Sequence, residues 1–469
     1  MATFRPEIEP LVRLLERTPR ERCAEVVVAQ LNEGVSYRQL LAALFLAGVR
    51  NINPRPPGFA LHCLFVIHSA HLLSLEAPPE SRLLPLFYAL DNFKGAQERD
   101  AKQTSGDYIM RPVRGPLPAP ERAAGELTSA MDGWDIERAE RAVVTLARHG
   151  SPNEVFQMLW RYAARDYRNI GHKAIFAANA ARTLEAIGWQ HAEPVLRSLV
   201  ASLLDFGKEQ KVNGYALDDQ TYANNLKRIK PIPGSWMAAE AEPAAARAVL
   251  DAIRHAAPDE ACAEVASRIA KGSCSAATIF DAVHLAAAEL VMRVRAGGLI
   301  AGIHAVTAAN GLHHAFVAAS DAPTRQLLAL QAVGWMGQFR HWAGSRPDGL
   351  RSFSITEMEP ASEAKSVEAT INEVSGNRDL AAASVFRLAS SAKQSYLSEA
   401  LRLTVAKADE VHYYKYLAAL VEDVPLVSAT WQPRLLAASV YYMKTPRDAE
   451  PAAMKRAREA LRGLKSVAG

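Results

Sequence analysis

Apolar residues recur at three- and four-residue spacing along most of the chain, as in Leu40, Leu41, Leu44, Phe45 and Val49. That period marks helices with a buried face, and the period-two alternation of half-buried strands is scarce. Ser36 can cap the helix carrying these five residues, and Pro54 lies beyond its end. Two more helices are predicted, over 58–75 behind Pro54-Arg55-Pro56-Pro57 and over about 80–97 behind Pro78-Pro79. Later helical stretches begin at Glu121, Asp135, Asn153, Ile170 and Ala192. After Pro231-Ile232-Pro233-Gly234 they follow near 237–256, 258–271, 276–295, 299–319, 323–343, 378–390, 393–420, 430–443 and 446–464.

The fold class expected is therefore all-α, a large multi-helical body of antiparallel helix pairs. A solenoid-like stack of such pairs fits the same pattern, although no fixed repeat length is visible. Breaks in the periodicity divide the chain. Residues 1–100 form an N-terminal helical part, and the Pro-rich stretch 101–120 reads as a linker or a lid. Residues 121–343 form a central helical core that should hold any site, interrupted by an irregular, polar 207–235 that is a second candidate lid. A weakly structured connection, 344–377, leads to C-terminal helices over 378–469.

Composition narrows the function classes. With 54 basic and 50 acidic residues interspersed, a net charge of +4 leaves no electrostatic footprint for nucleic acid. The short run Lys227, Arg228, Lys230 reads as a solvated loop edge. Cys23, Cys63, Cys262 and Cys274 form no CxxC pair and suit reduced, buried thiols. The opening residues Met1 to Glu7 have no apolar signal core, so a cytoplasmic location is expected. From Ala296 to Ser320 the chain carries no Asp, Glu, Lys or Arg. His304, Thr307, Asn310, His313 and His314 within that run point to a buried central helix rather than a membrane span.

Phosphate-loop, dinucleotide, zinc-helix and nucleophile-elbow motifs are all missing, as is the Glu-x-x-His pair of di-iron bundles. Asp281-x-x-His284 and Asp409-x-x-His412 are the nearest pairs with ligand spacing, and both read as surface or capping pairs. The informative feature is 13 histidines, many in apolar helices, because a buried imidazole needs a hydrogen bond or a ligand. His62, His68 and His71 share one helix, but a step of roughly 100° per residue puts His62 and His71 on opposite faces. The donors offered there are His68 with His71, or His62 alone. Asp166, at a dense polar corner before His172, can orient that imidazole, and Arg182 can hold an anionic substrate. His191 precedes Pro194 at a helix start, where the positive dipole end favours a neutral ring. His304 and His313 flank Asn310 in the charge-free helix and face opposite ways. The cluster His412-Tyr413-Tyr414-Lys415-Tyr416 reads as ordinary packing.

Two of these segments carry a family likeness. Gly171-His172 followed by the apolar run through Arg182-Thr183-Leu184, and His304-Ala305-Val306-Thr307, resemble segments of the questin oxidase-like proteins. The resemblance implies a helical fold, oxygen-dependent oxidation of aromatic polyketide rings, reduced nicotinamide (NAD(P)H) as co-substrate, and functional roles for His172 and His304. The expectation is an oxygenase or oxidase acting on a small organic substrate in a buried pocket. Its candidate metal ligands are His62, His71, His172, His191, His304 and His313, holding non-haem iron or another transition metal. Asp166, His172 and Arg182 are the candidate catalytic residues. Two other classes fit the same chain: a non-catalytic helical scaffold, with its histidines dispersed, and a carrier for haem or another apolar ligand.

Overall fold

The computed structural model describes residues 1–102, 108–205, 216–231, 235–295, 298–347 and 349–465. Among these the chain forms 23 α-helices and no strand, the all-α class read from the periodicity. The first predicted cap is present: Ser36 Oγ accepts from the Gln39 amide, and the Gln39 side chain accepts from the Ser36 amide. The four cysteines are buried and unbridged.

Five helices position the site: α1 (His62–Glu76), α2 (His172–Ile187), α3 (Ala276–Arg293), α4 (Leu299–Ala318) and α5 (Val411–Asp423). α4 is the charge-free helix, and it is buried on nearly every side, packed against α2, α3 and α5. α1 in turn packs against α2 and α5, so α1, α2, α4 and α5 surround a common interior. The approach of α4 to α2 depends on Gly311, where a Cβ would lie 3.1 Å from the Ala174 carbonyl oxygen. No helix among the described residues is long and apolar enough to cross a membrane.

The solenoid-like reading does not survive. In a solenoid each repeat touches only its sequence neighbours. Here helix Cys23–Asn32 packs against helix Ala452–Leu461, and Asn32 Nδ2 donates to the Gly463 carbonyl at 2.9 Å. The interior expected within 121–343 also draws α1 from the N-terminal part and α5 from the C-terminal part.

Three local expectations change as well. The polar stretch 207–235 contains a helix, Ala216–Arg228, whose buried residues Thr221, Tyr222 and Asn225 include no aliphatic side chain, so hydrophobic periodicity could not reveal it. The stretch 393–420 is two helices, Lys393–Lys407 and Val411–Asp423, parted at Ala408-Asp409-Glu410 without Pro or Gly. Residues 108–119 are non-helical, and Met110 is tied down by backbone bonds to Ala2 and Arg50 rather than hanging free. Within both candidate lids, 103–107, 207–215 and 232–234 lie outside the described residues.

Candidate metal centre

The first turns of α1, α2 and α5 meet at one interior point. His62 and His172 are the first residues of α1 and α2, and His412 is the second of α5. His304 joins them from α4. His62 Nε2 and His304 Nε2 lie 2.8 and 2.9 Å from His172 Nε2. The His412 ring centroid is 4.7 Å from that of His62 and 4.9 Å from that of His304. One ligand nitrogen from each of His62, His304 and His412 falls within 4.8 Å of the others.

Local backbone sets these rings. Before His172 the chain makes a left-handed turn, with φ of 57° at Asn169, 51° at Ile170 and 81° at Gly171. A β-branched residue such as Ile170 at positive φ is strained, at a cost on the order of 1–3 kcal/mol. Opposite the turn, Gly58 (φ +133°) lies against the His172 ring, and a Cβ there would come within 3.1 Å of it. Glu410, in the break before α5, accepts from the His412 amide and from His412 Nδ1 at 2.6 Å. Its other oxygen accepts from the Tyr442 hydroxyl.

Proton inventory is what makes the cluster unusual. His304 Nδ1 is 2.8 Å from the Ile300 carbonyl, which can only accept, so Nδ1 carries the proton and Nε2 presents a lone pair. The Glu410 carboxylate forces the same tautomer on His412. His412 Nε2 is buried with no hydrogen-bond partner. A neutral imidazole nitrogen donates one proton or accepts one, yet His172 Nε2 has two close nitrogen neighbours. Protons alone cannot satisfy this arrangement, whereas one cation facing all the lone pairs can. For metal–imidazole bonds of about 2.0–2.1 Å, nitrogens at right angles around the ion are roughly 2.9 Å apart. The two short separations fit that edge.

The surroundings are electropositive and dry. Burial, followed by the charges of Lys415 and neighbouring imidazoles, holds His62 and His172 far below the ordinary histidine range. Burial, then His172 and Lys415, does the same to His304. His412 is lowered by burial and Lys415, against the opposing pull of Glu410. Glu410 is itself pushed up by burial and held below the ordinary range by His412 and Tyr442, which outweigh it. Lys415 is 3 % exposed, its Nζ has no hydrogen-bond partner, and burial pushes it down to about 7. The Phe65 ring separates these groups from the core, with centroids 5.6 Å from His62 and 5.7 Å from His172 and the Lys415 Nζ 5.5 Å away. His62 alone of the four histidines keeps partial exposure.

The remaining candidates lie elsewhere. Of the six proposed ligands, His62, His172 and His304 converge. His71 is stacked on Tyr37, whose hydroxyl is 3.1 Å from Nδ1. His191 lines a surface cavity of about 570 Å³ with Arg5, Arg148 and Trp189. His313 points away from His304, stacks on Phe280 and meets His284 at 2.9 Å. Asp166 does not orient His172: it is buried against Lys173, 2.8 Å away, one residue further along. Arg182 already holds an anion, Glu422 at 3.3 Å, and donates to Asn310 at 2.9 Å.

His412, Glu410 and Lys415 were not among the candidate ligands. Their signal was present, since His412 and Lys415 share a face of an apolar helix and each demands a partner. The pairs Asp281-x-x-His284 and Asp409-x-x-His412 do not form. Asp281 accepts from the Ser428 amide, and Asp409 pairs with Lys444.

A second buried network lies further along α4 and α5. Asn310 Nδ2 donates to Glu422 (3.0 Å) and to Asp423 (2.8 Å), and Glu422 accepts from His68 at 2.8 Å. Burial pushes Glu422 up, but His68 and Arg182 prevail and hold it down to about 2. Asp423 is driven by burial well above the carboxylate range. Asn179 Nδ2 ties α2 to the Phe65 carbonyl of α1 at 3.1 Å. This network locks the four helices together beneath the histidine cluster.

Comparison of the chain with protein-family models, with curated proteins and with solved structures finds no match.

Proposed function

We propose that His62, His172, His304 and His412 hold a transition-metal ion, and that the chain is an oxidoreductase of the oxygenase or oxidase type acting there on a small organic substrate. The observation that carries this reading is the convergence of four imidazole rings, three of them buried, from four separate segments, two of them with tautomers that turn Nε2 lone pairs inward. A non-catalytic scaffold has no need of such convergence, because each buried imidazole would be satisfied by its own local acceptor.

Imidazole donors suit iron, copper, nickel and zinc, and non-haem iron is the one we propose, for its oxygen chemistry. Such an ion, held by the four imidazoles, would supply the means to activate oxygen toward an organic substrate. The chain's own residues have distinct tasks. Glu410 orients His412 and raises its basicity, as carboxylates behind metal-bound histidines do. Phe65 excludes water from the inner side. Burial, with the neighbouring positive charge of Lys415 adding to it, keeps the imidazoles unprotonated and ready to ligate at neutral pH. The likeness of the His172 and His304 segments to the questin oxidase-like proteins supports the same reading and brings reduced nicotinamide as the electron donor.

The test is to load the purified chain anaerobically with Fe(II), measure bound iron, and add nitric oxide as a stand-in for oxygen. One equivalent of iron and a high-spin nitrosyl EPR signal are expected, both lost in the His304→Ala, His412→Ala double variant. Folded protein retaining less than about a tenth of an equivalent would sink the metal reading. Iron without a nitrosyl adduct would sink the oxygen chemistry.

A further inference from the structure

The charge balance of the cluster is incomplete. Four neutral imidazoles and a divalent ion bring two positive charges into a buried site, and Lys415 stands beside them with an Nζ that meets no acceptor among the described residues. Among the described residues the one carboxylate touching the cluster is Glu410, whose oxygens are already engaged by His412 and Tyr442. The helix ends add to the excess. α1, α2 and α5 each begin at the cluster, so three positive dipole ends point at one place. Uncompensated positive charge is expensive in a dry interior.

Lys415 is placed to answer this. It lies one turn beyond His412 on the same face of α5, and its charge bears on all four imidazoles. It is 3 % exposed, and the Phe65 ring against which its Nζ lies also abuts His62 and His172.

We infer that the centre binds an organic anion through an ionised oxygen, which completes the metal's coordination and accepts a charge-assisted hydrogen bond from Lys415 Nζ. The inference rests on the metal reading above and specifies the ligand class of that site. Lys415 is a binding residue for the anion and not a metal ligand. The ligand enters from the side of His62, where the cluster is partly exposed.

Cobalt(II) substitution gives the assay, because its visible d–d bands report each ligand added to the ion. Azide and acetate are titrated into the Co(II) protein and into Lys415→Met, which keeps the length of the side chain. Loss of a charge-assisted hydrogen bond should weaken azide and acetate by roughly tenfold or more. Co(II) uptake should stay the same or tighten, since a like charge is removed. Lys415→Arg, which keeps the charge, should retain more anion affinity than Lys415→Met. Unchanged anion affinity in a Co(II)-loaded Lys415→Met protein overturns the inference and leaves the metal centre standing. A wild-type protein that takes up no Co(II) overturns the metal reading itself. Should both variants fail to fold, the wild-type Co(II) protein still decides: azide must bind at least tenfold tighter than neutral imidazole, and equal affinities overturn the inference.

Discussion

Lowering the pH from 7 to 5 should destabilise the metal-free protein well before its ordinary carboxylates titrate, and the raised Asp423 opposes this only in part. His284 is the clearest contributor, fully enclosed and pushed by burial down to about 4. In the unfolded chain it returns to about 6.5. Between these values the unfolded state binds a proton that the native state refuses, so stability falls as the pH drops through that window. Integrating the linkage from pH 7 to 5 gives about 2 kcal/mol for this one imidazole. His62, His172, His304 and His313 are all lowered by burial first and add in the same direction. The total is a large share of the roughly 5–15 kcal/mol that holds a typical domain together. Urea unfolding of metal-free protein at pH 7, 6 and 5, followed by circular dichroism, measures it. The midpoint should fall steeply over this range, and bound metal should oppose the fall, because ligation keeps imidazoles unprotonated. Glu422, held down to about 2, adds a second loss below about pH 4.3, as its unfolded-state proton affinity takes over. A midpoint that is flat between pH 7 and 5 would refute the claim that these imidazoles are buried and neutral.

Other consequences can be checked separately. Glu410→Gln removes the carboxylate behind His412 and should cost about 10–100-fold in metal affinity, read by competition with a chelator, with little change in fold. Asn310→Leu leaves Glu422 and Asp423 without their shared donor. It should destabilise the protein by about 3 kcal/mol in urea unfolding, while metal stoichiometry stays the same in protein that folds. Asp166→Ala takes the carboxylate from Lys173 and should cost about 3–5 kcal/mol of stability. A catalytic role for Asp166 would instead show as lost activity at unchanged stability. In Lys415→Met, the rise in stability expected of wild type above pH 7 should disappear, since Lys415 at about 7 binds its proton less tightly in the native than in the unfolded chain.

Much of the site was legible as demand without destination. The 100° step of a helix was enough to separate His62 from His71 and His304 from His313, and each pair does diverge. It said that one member of each pair could serve a given point, not which. His62 and His304 reach the cluster because α1 and α4 both pack against α2 and α5. His191 and His412 show the limit from both sides. Both sit at a helix start, yet one lines a surface cavity and the other meets His62 and His304.

What the chain alone determined was the all-α class, the burial of the charge-free helix, the first cap and the need of its histidines for partners. These follow from short-range sterics, hydrophobic period and the cost of desolvation, which act within one helix. What only the tertiary structure decided was the meeting of α1, α2, α4 and α5, the break that sets Glu410 behind His412, and the division of polar groups between the cluster and the Asn310 network. Those depend on contacts between segments hundreds of residues apart, and no local period encodes which helix becomes another's neighbour.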